Sequence, residues 1–165
     1  MTVTAARTVL EQVTDPEIPV LTIADIGMLR DVLAHDDGTL EVVITPTYSG
    51  CPAMDEIRAD IVRALAEAGY PKVTVTTSLS PAWTTDWMTE QAKEKLREYG
   101  IAPPTGVAPA GPVHVTLSTR PPDELVACPR CGERGREVSR FGSTACKSMY
   151  VCTACLEPFD YFKSL

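Results

Sequence analysis

Two Cys-x-x-Cys pairs constrain this chain more than any other feature. Cys128-Pro129-Arg130-Cys131 is followed, after 20 intervening residues, by Cys152-Thr153-Ala154-Cys155. Each pair can close a tight turn that presents two sulfurs and directs backbone N–H groups at them. Two such knuckles build a tetrahedral four-thiolate site. Six cysteines would also suit disulfides, but Met1-Thr2-Val3-Thr4-Ala5-Ala6-Arg7 has no basic region followed by an apolar core. A secretory signal is therefore not expected, and metal ligation is the more economical reading. The spacing favours a structural zinc ribbon ahead of rubredoxin-like iron or an iron–sulfur cluster, yet a sulfur-four site accepts either metal. A closed site leaves no open coordination position, which argues for folding energy and against metal catalysis. A short tail with few large apolar side chains needs such a staple. Phe159, Tyr161 and Phe162 are expected to pack over it.

A second stretch organises the first part of the chain. Leu40, Val42 and Ile44 alternate along a strand. Thr45-Pro46-Thr47-Tyr48-Ser49-Gly50-Cys51-Pro52 follows, and a helix then runs from Pro52 to Ala68. Met54, Ile57, Ile61, Leu65 and Ala68 share its apolar face, and Asp55 and Glu56 suit its first turn. Cys51 thus sits where a strand gives way to a helix, among orphan backbone N–H groups that favour a thiolate. A helix start contributes about 0.3–1 kcal/mol to an exposed anion, less than one pKa unit, so direct hydrogen bonds or a bound iron must supply the rest. The alternative is a small apolar residue filling a corner.

Around that stretch the elements follow in order. Residues 4–13 read as a helix with Thr4 as cap and Ala6, Leu10 and Val13 on one side. Asp15-Pro16-Glu17-Ile18-Pro19 is a stiff turn, whose Asp15 and Glu17 are either ligands or acid–base groups, or simply solvated. A strand from Met28 to Ala34 returns through Asp36-Asp37-Gly38 into an antiparallel partner at 39–45. Val73, Val75, Thr77 and Leu79 alternate in a third strand. A further helix carries Met88, Ala92, Leu96 and Tyr99 on one side and ends at Gly100, with Ile101 beside that cap. Trp83 and Trp87 fit either the core or a partner surface beside the Cys51 loop.

The fold class is therefore α/β of the α+β kind: a small sandwich of about three strands with helices on one face, then a four-cysteine module. Domain bounds are set at 4–101 and 113–165. The proline-, glycine- and alanine-rich residues 102–112 form a linker between them, and a strand at 113–117 follows it. Cys146 stands outside the two pairs, and Lys147 would favour its thiolate if the two were close in space.

The formal charge of −7 lies wholly in residues 1–120. An acidic chain without a basic face is a poor holder of nucleic-acid backbones. No stretch is long and apolar enough to span a membrane. The two histidines, His35 and His114, lie in different regions and form no metal or hydrolase motif, and no phosphate-binding or dinucleotide fingerprint occurs.

Asp15-Pro16-Glu17-Ile18-Pro19-Val20-Leu21, Asp25-Ile26-Gly27 and the Thr45–Pro52 loop resemble the SufT-like metal–sulfur cluster assembly domain family. Ser80–Met88, Tyr99–Pro104, Phe141–Lys147 and Glu157–Lys163 resemble the phenylacetate-degradation branch of that family, so the resemblance covers about residues 5–165. It implies an accessory maturation factor that assists iron–sulfur cluster or iron loading of the multicomponent phenylacetyl-CoA epoxidase, through its reductase or its di-iron oxygenase subunit. The alternatives are a non-catalytic structural subunit of that complex and, less favoured, a thiol-dependent enzyme. The resemblance makes Cys51 the cluster- or iron-handling residue, with Asp15 and Glu17 in the family's acidic turn; Cys146, left over once the four paired cysteines are assigned, is a second candidate thiol. Tyr48, Trp83 and Trp87 are assigned to the partner surface, and Cys128, Cys131, Cys152 and Cys155 to the metal. The expected cofactors are structural zinc and a transient iron or iron–sulfur cluster. The expected partners are the epoxidase subunits, with no nucleic acid, no membrane, a homodimer admitted, and a cytoplasmic location. Some members carry a further cysteine where this chain has Ser164, which leaves a tail-thiol transfer scheme without its last residue.

Overall fold

The computed structural model describes residues 2–105 and 125–164. His114, the strand expected at 113–117 and most of the expected linker lie outside the described residues. The chain divides into two compact units, Met1–Trp83 with Trp87–Lys95, and Thr84–Asp86 with Leu96–Leu165.

The first unit is built on a three-stranded sheet in the order β1 (Leu29–Ala34), β2 (Leu40–Ile44), β3 (Val73–Thr77). The hairpin expected around Asp36-Asp37-Gly38 is present: β1 and β2 are antiparallel, with Leu29 opposite Ile44 and Ala34 opposite Leu40. β3 runs parallel to β2, with Val42 opposite Val75, and parallel neighbours require a crossover. Helix α2 (Met54–Glu67) supplies it. Period two puts Leu40, Val42 and Ile44 on the buried face, where α2 meets β3 and helix α1 (Val3–Leu10) meets α2 and β1. Helices thus cover one face, and Thr74 and Thr76 stand exposed on the other.

Ala6, Leu10, Ile57, Ile61 and Leu65 project from the helices into a core completed by Ile18, Leu21, Ile23 and Ile26 from the long segment before β1. Some local expectations shift. Thr2, not Thr4, caps α1 by accepting the Ala5 N–H at 3.3 Å. α2 starts two residues after Pro52, and Ala68 is its exposed last cap rather than a core position. Leu79 is 60% exposed, because β3 ends at Thr77 and the last strand bond is Ser78 N–H to the Ile44 carbonyl. In helix α3 (Glu90–Tyr99), Ala92 and Leu96 are buried but Tyr99, in the last turn, is exposed.

The second unit holds a four-stranded sheet. Its strands are β4 (Ile101–Ala102), β5 (Gly135–Ser139), β6 (Lys147–Cys152) and β7 (Pro158–Phe162), in the order β4-β7-β6-β5. β4 pairs parallel with β7, so Ile101, read as the end of the first domain, is sheet backbone in this unit. β6 is antiparallel to both β5 and β7. The core is small and aromatic: Ala102, Val126, Cys128, Tyr150, Cys152, Phe159 and Tyr161. Tyr150 stacks on Phe159 at 5.8 Å between centroids and meets Tyr161 edge-on at 5.5 Å. A Cβ at Gly135 would come within 2.5 Å of the Phe159 ring, so β5 tolerates no side chain where it crosses beneath it. Phe162 is also buried but lies outside this cluster, because successive strand residues alternate faces.

Candidate metal centre and thiol site

The four paired cysteines converge. Cys128 and Cys131 lie on the loop before β5, Cys152 ends β6, and Cys155 lies in the turn to β7. Their sulfurs all fall within 4.8 Å of one another. Cys131–Cys152 is 3.4 Å, Cys131–Cys155 3.7 Å and Cys128–Cys155 3.9 Å. Zinc–thiolate bonds of about 2.3 Å in a tetrahedron require edges of about 3.8 Å, so the sulfurs stand where one metal ion would hold them.

The local backbone explains the convergence. The Ala154 and Cys155 N–H groups both donate to Cys152 Sγ at 3.4 Å. The residue after each pair turns left-handed: Gly132 at φ 79° and Leu156 at φ 63°. Glycine takes that conformation freely, whereas a leucine is strained there. At Cys152, burial opposes the thiolate, but the Cys155 and Ala154 N–H groups and the Cys131 and Cys155 thiols outweigh it, and the pKa falls to about 6. At Cys131, the Glu133 N–H favours the thiolate, but the Cys152 thiol, burial and the other two thiols override it, and the pKa is pushed up to about 12. At Cys155, the Glu157 N–H likewise favours the thiolate, yet the Cys152 thiol and burial win and the pKa is raised. One negative charge settles on Cys152 and opposes the next. A divalent cation relieves that opposition, and binding it expels the remaining protons.

The Cys51 loop closes one end of the first sheet. Thr45 N–H donates to the Met28 carbonyl at 2.9 Å, which ties the exit of β2 to the entry of β1. Cys51 N–H then donates to the Tyr48 carbonyl, and Met54 N–H to the Cys51 carbonyl, each at 3.3 Å. Two consecutive turns therefore present a half-buried thiol just before α2. Ala53, the N-cap, makes no side-chain cap bond. Tyr48 is half-buried, with its ring edge over Gly50.

The other predicted residues have structural partners. Asp15 Oδ1 accepts the Glu17 and Ile18 N–H groups at 2.7 and 2.9 Å, so its buried carboxylate builds the turn it begins. Trp83, expected at a partner surface, is 5% exposed, and its indole N–H donates to the Ile26 carbonyl at 3.0 Å. Its size and single donor are both satisfied inside, so it belongs to the core. Trp87 is half-buried under the Arg30 guanidinium, 3.6 Å from the ring centroid. Its Cβ and carbonyl press against Gly27, where an added Cβ would come within 2.7 Å and where φ is 78°. Both demands require glycine. Cys146 is buried, with the Thr144 hydroxyl 3.0 Å from its sulfur. Lys147 turns instead to Asp160 at 3.5 Å. Lys163 stands within electrostatic reach of Cys146: burial lowers the Lys163 pKa, and Cys146 opposes part of that lowering.

Sequence reasoning missed two ties. Arg58 donates to Thr77 Oγ1 at 2.6 Å and to Asp55 at 3.2 Å, pinning the start of α2 to the end of β3. Lys95 donates to Asp25 Oδ2 at 2.6 Å, and the same oxygen accepts the Thr22 N–H. Both ties join residues far apart in the chain, so no spacing announces them. A legible signal also went unread: 42–54 and 73–83 contain no charged residue. The loops after β2 and β3, which emerge at the same sheet end, are therefore neutral in an acidic chain.

Residues 4–77 match the iron–sulfur cluster assembly protein family, and residues 112–163 match the PaaD zinc beta ribbon domain. The chain is 50% identical over 157 residues to a putative 1,2-phenylacetyl-CoA epoxidase subunit of Escherichia coli K12, covering 94% of this chain and 89% of that one. It is 39% identical over 88 residues to the Fe-S protein maturation auxiliary factor YitW of Bacillus subtilis, covering 53% of this chain and 85% of that one. The crystal structure of a domain of unknown function, DUF59, from Bacillus anthracis superposes with a TM-score of 0.53 at 27% identity, covering 57% of this chain and 90% of that one. The chain belongs to the PaaD family, in which a SufT-like assembly domain is joined to a four-cysteine ribbon.

Proposed function

We propose that this protein is an accessory maturation factor that assists iron or iron–sulfur cluster loading of a multicomponent phenylacetyl-CoA epoxidase. The observation that carries the reading is one chain holding both halves: an assembly-family domain with a half-buried thiol in a neutral loop, and a ribbon matched to PaaD. The near-full-length relative named for that epoxidase supports the choice of client. In this reading Cys51 is the working thiol, Tyr48 and the uncharged loops around it meet the client, and Asp15 organises the acidic turn that carries Glu17. Cys128, Cys131, Cys152 and Cys155 hold zinc, which supplies folding energy and no chemistry on the cargo.

That relative is named as part of the epoxidase itself, which favours a second reading, a scaffold within the complex. The two part on one experiment: reductase and oxygenase subunits are purified from cells with and without this protein, and their iron and acid-labile sulfide are measured. Maturation predicts deficient clients in its absence. Fully loaded clients that fail only to assemble would establish the scaffold instead.

A further inference from the structure

We propose that Cys131 and Cys155 form an oxidation site within the four-cysteine centre, reacting with hydroperoxides to a disulfide that opens the centre. The centre is lopsided. Cys128 and Cys152, the first cysteine of each knuckle, are 2% and 0% exposed, whereas Cys131 and Cys155, the second of each, are exposed. The two exposed sulfurs lie 3.7 Å apart. A metal-bound thiolate keeps nucleophilic electron pairs, and access then decides which sulfur an oxidant reaches.

Cys152 is further held by two backbone N–H donors at 3.4 Å, and Cys128 lies inside the aromatic cluster. Cys131 and Cys155 sit beside the two left-handed residues, Gly132 and Leu156, at the outer ends of their turns. Closing from 3.7 Å to a disulfide bond of about 2.05 Å moves two residues that both lie in turns, outside every strand of the sheet.

The chemistry balances with a peroxide as oxidant. The Cys131 thiolate attacks one peroxide oxygen, the O–O bond breaks, and hydroxide leaves with the electron pair, giving the sulfenic acid. The Cys155 thiolate then attacks that sulfur, the S–S bond forms, the S–O bond breaks, and a second hydroxide departs. Two thiolates lose two electrons and one peroxide gains them. Cys128 and Cys152 alone remain as ligands, too few for a closed four-thiolate site.

The inference rests on the metal reading of the centre and is independent of the choice of client. The test uses the full zinc-loaded chain, prepared without oxygen and treated with one equivalent of hydrogen peroxide. Zinc release is followed with a colorimetric chelator, and the products are mapped by tryptic digestion with fragmentation. Trypsin separates Cys128 from Cys131 by cutting after Arg130. The expected result is about one zinc released for each pair of thiols lost, a Cys131–Cys155 bridge, Cys128 and Cys152 still open to alkylation, and zinc rebinding after reduction. Retained zinc while peroxide is consumed elsewhere, or a bridge that includes Cys128 or Cys152, overturns the proposal. Protein that holds no metal before peroxide is added overturns the metal reading, and this inference with it.

Discussion

The two units solve the same problem with different materials. The first buries Leu10, Ile18, Leu21, Ile23, Ile26, Ile44, Ile57, Ile61 and Leu65 almost completely. Its sheet is covered by two helices, and its stability follows from apolar area removed from water. The second, among its described residues, buries mainly four aromatic rings and three of its own cysteines. That core is too small to support a sheet by burial alone. The first unit is therefore fragile to loss of side-chain volume, and the second to loss of the metal ion that its four cysteines are placed to hold.

The largest expected effect breaks the comparison open. Chelation of the metal, or Cys152→Ser, should unfold the second unit while the first stays folded. Two-dimensional NMR checks this: signals from 125–164 collapse to unfolded positions, and those from 2–83 stay put. Retention should also depend on pH. Each thiol must give up its proton to the metal, so affinity falls with pH already below the raised values of Cys131 and Cys155, and falls more steeply once pH drops through about 6, where Cys152 is protonated as well.

The mirror experiment is Ile61→Ala. Ile61 is fully buried in α2, and such a truncation costs about 2–5 kcal/mol. Chemical denaturation should show this loss in the first unit alone, with the metal content of the ribbon unchanged. Coupled loss in both units would mean that they do not fold separately.

Much of this division was legible in the sequence. The Cys-x-x-Cys spacing announced the second unit because four ligands at fixed intervals leave few backbone solutions. The Ile57-Ile61-Leu65 stripe announced α2 for a similar reason, a period that only a helix satisfies. Trp83 could not be placed by pattern, since its fate turns on the Ile26 carbonyl, far away in the chain. Lys147 escapes pattern for the same cause: sequence adjacency puts it beside Cys146, but strand alternation sends it to Asp160. The candidate thiol was legible as a strand-to-helix junction. The ties that shape its sheet end, Arg58 to Thr77 and Lys95 to Asp25, were not, because each is long-range.

Smaller effects sharpen the picture. Burial raises the Asp25 pKa, but Lys95 and Thr22 outweigh it and hold the carboxyl below its ordinary value of 3.8. A depressed folded-state pKa adds stability above the unfolded value and loses it as pH falls through the folded one. Lys95→Met should therefore cost the first unit about 1 kcal/mol at pH 7. The gap to wild type should close as pH falls below about 4, read by denaturation at several pH values. In the second unit, Leu156→Gly should relieve the left-handed strain, worth about 1 kcal/mol. Leu156 is 72% exposed and packs little, so metal loss to a competing chelator should slow by roughly fivefold.

In the proposed function the first unit carries the work through Cys51 while the second unit's cysteines hold structure. Cys51→Ser nearly preserves volume, so packing should be little disturbed. The measurement is the iron and acid-labile sulfide content of epoxidase subunits from cells expressing equal amounts of wild-type or Cys51→Ser protein. A working Cys51 predicts a folded variant with normal metal content and clients deficient in iron or sulfide. Clients fully loaded in both strains would contradict it.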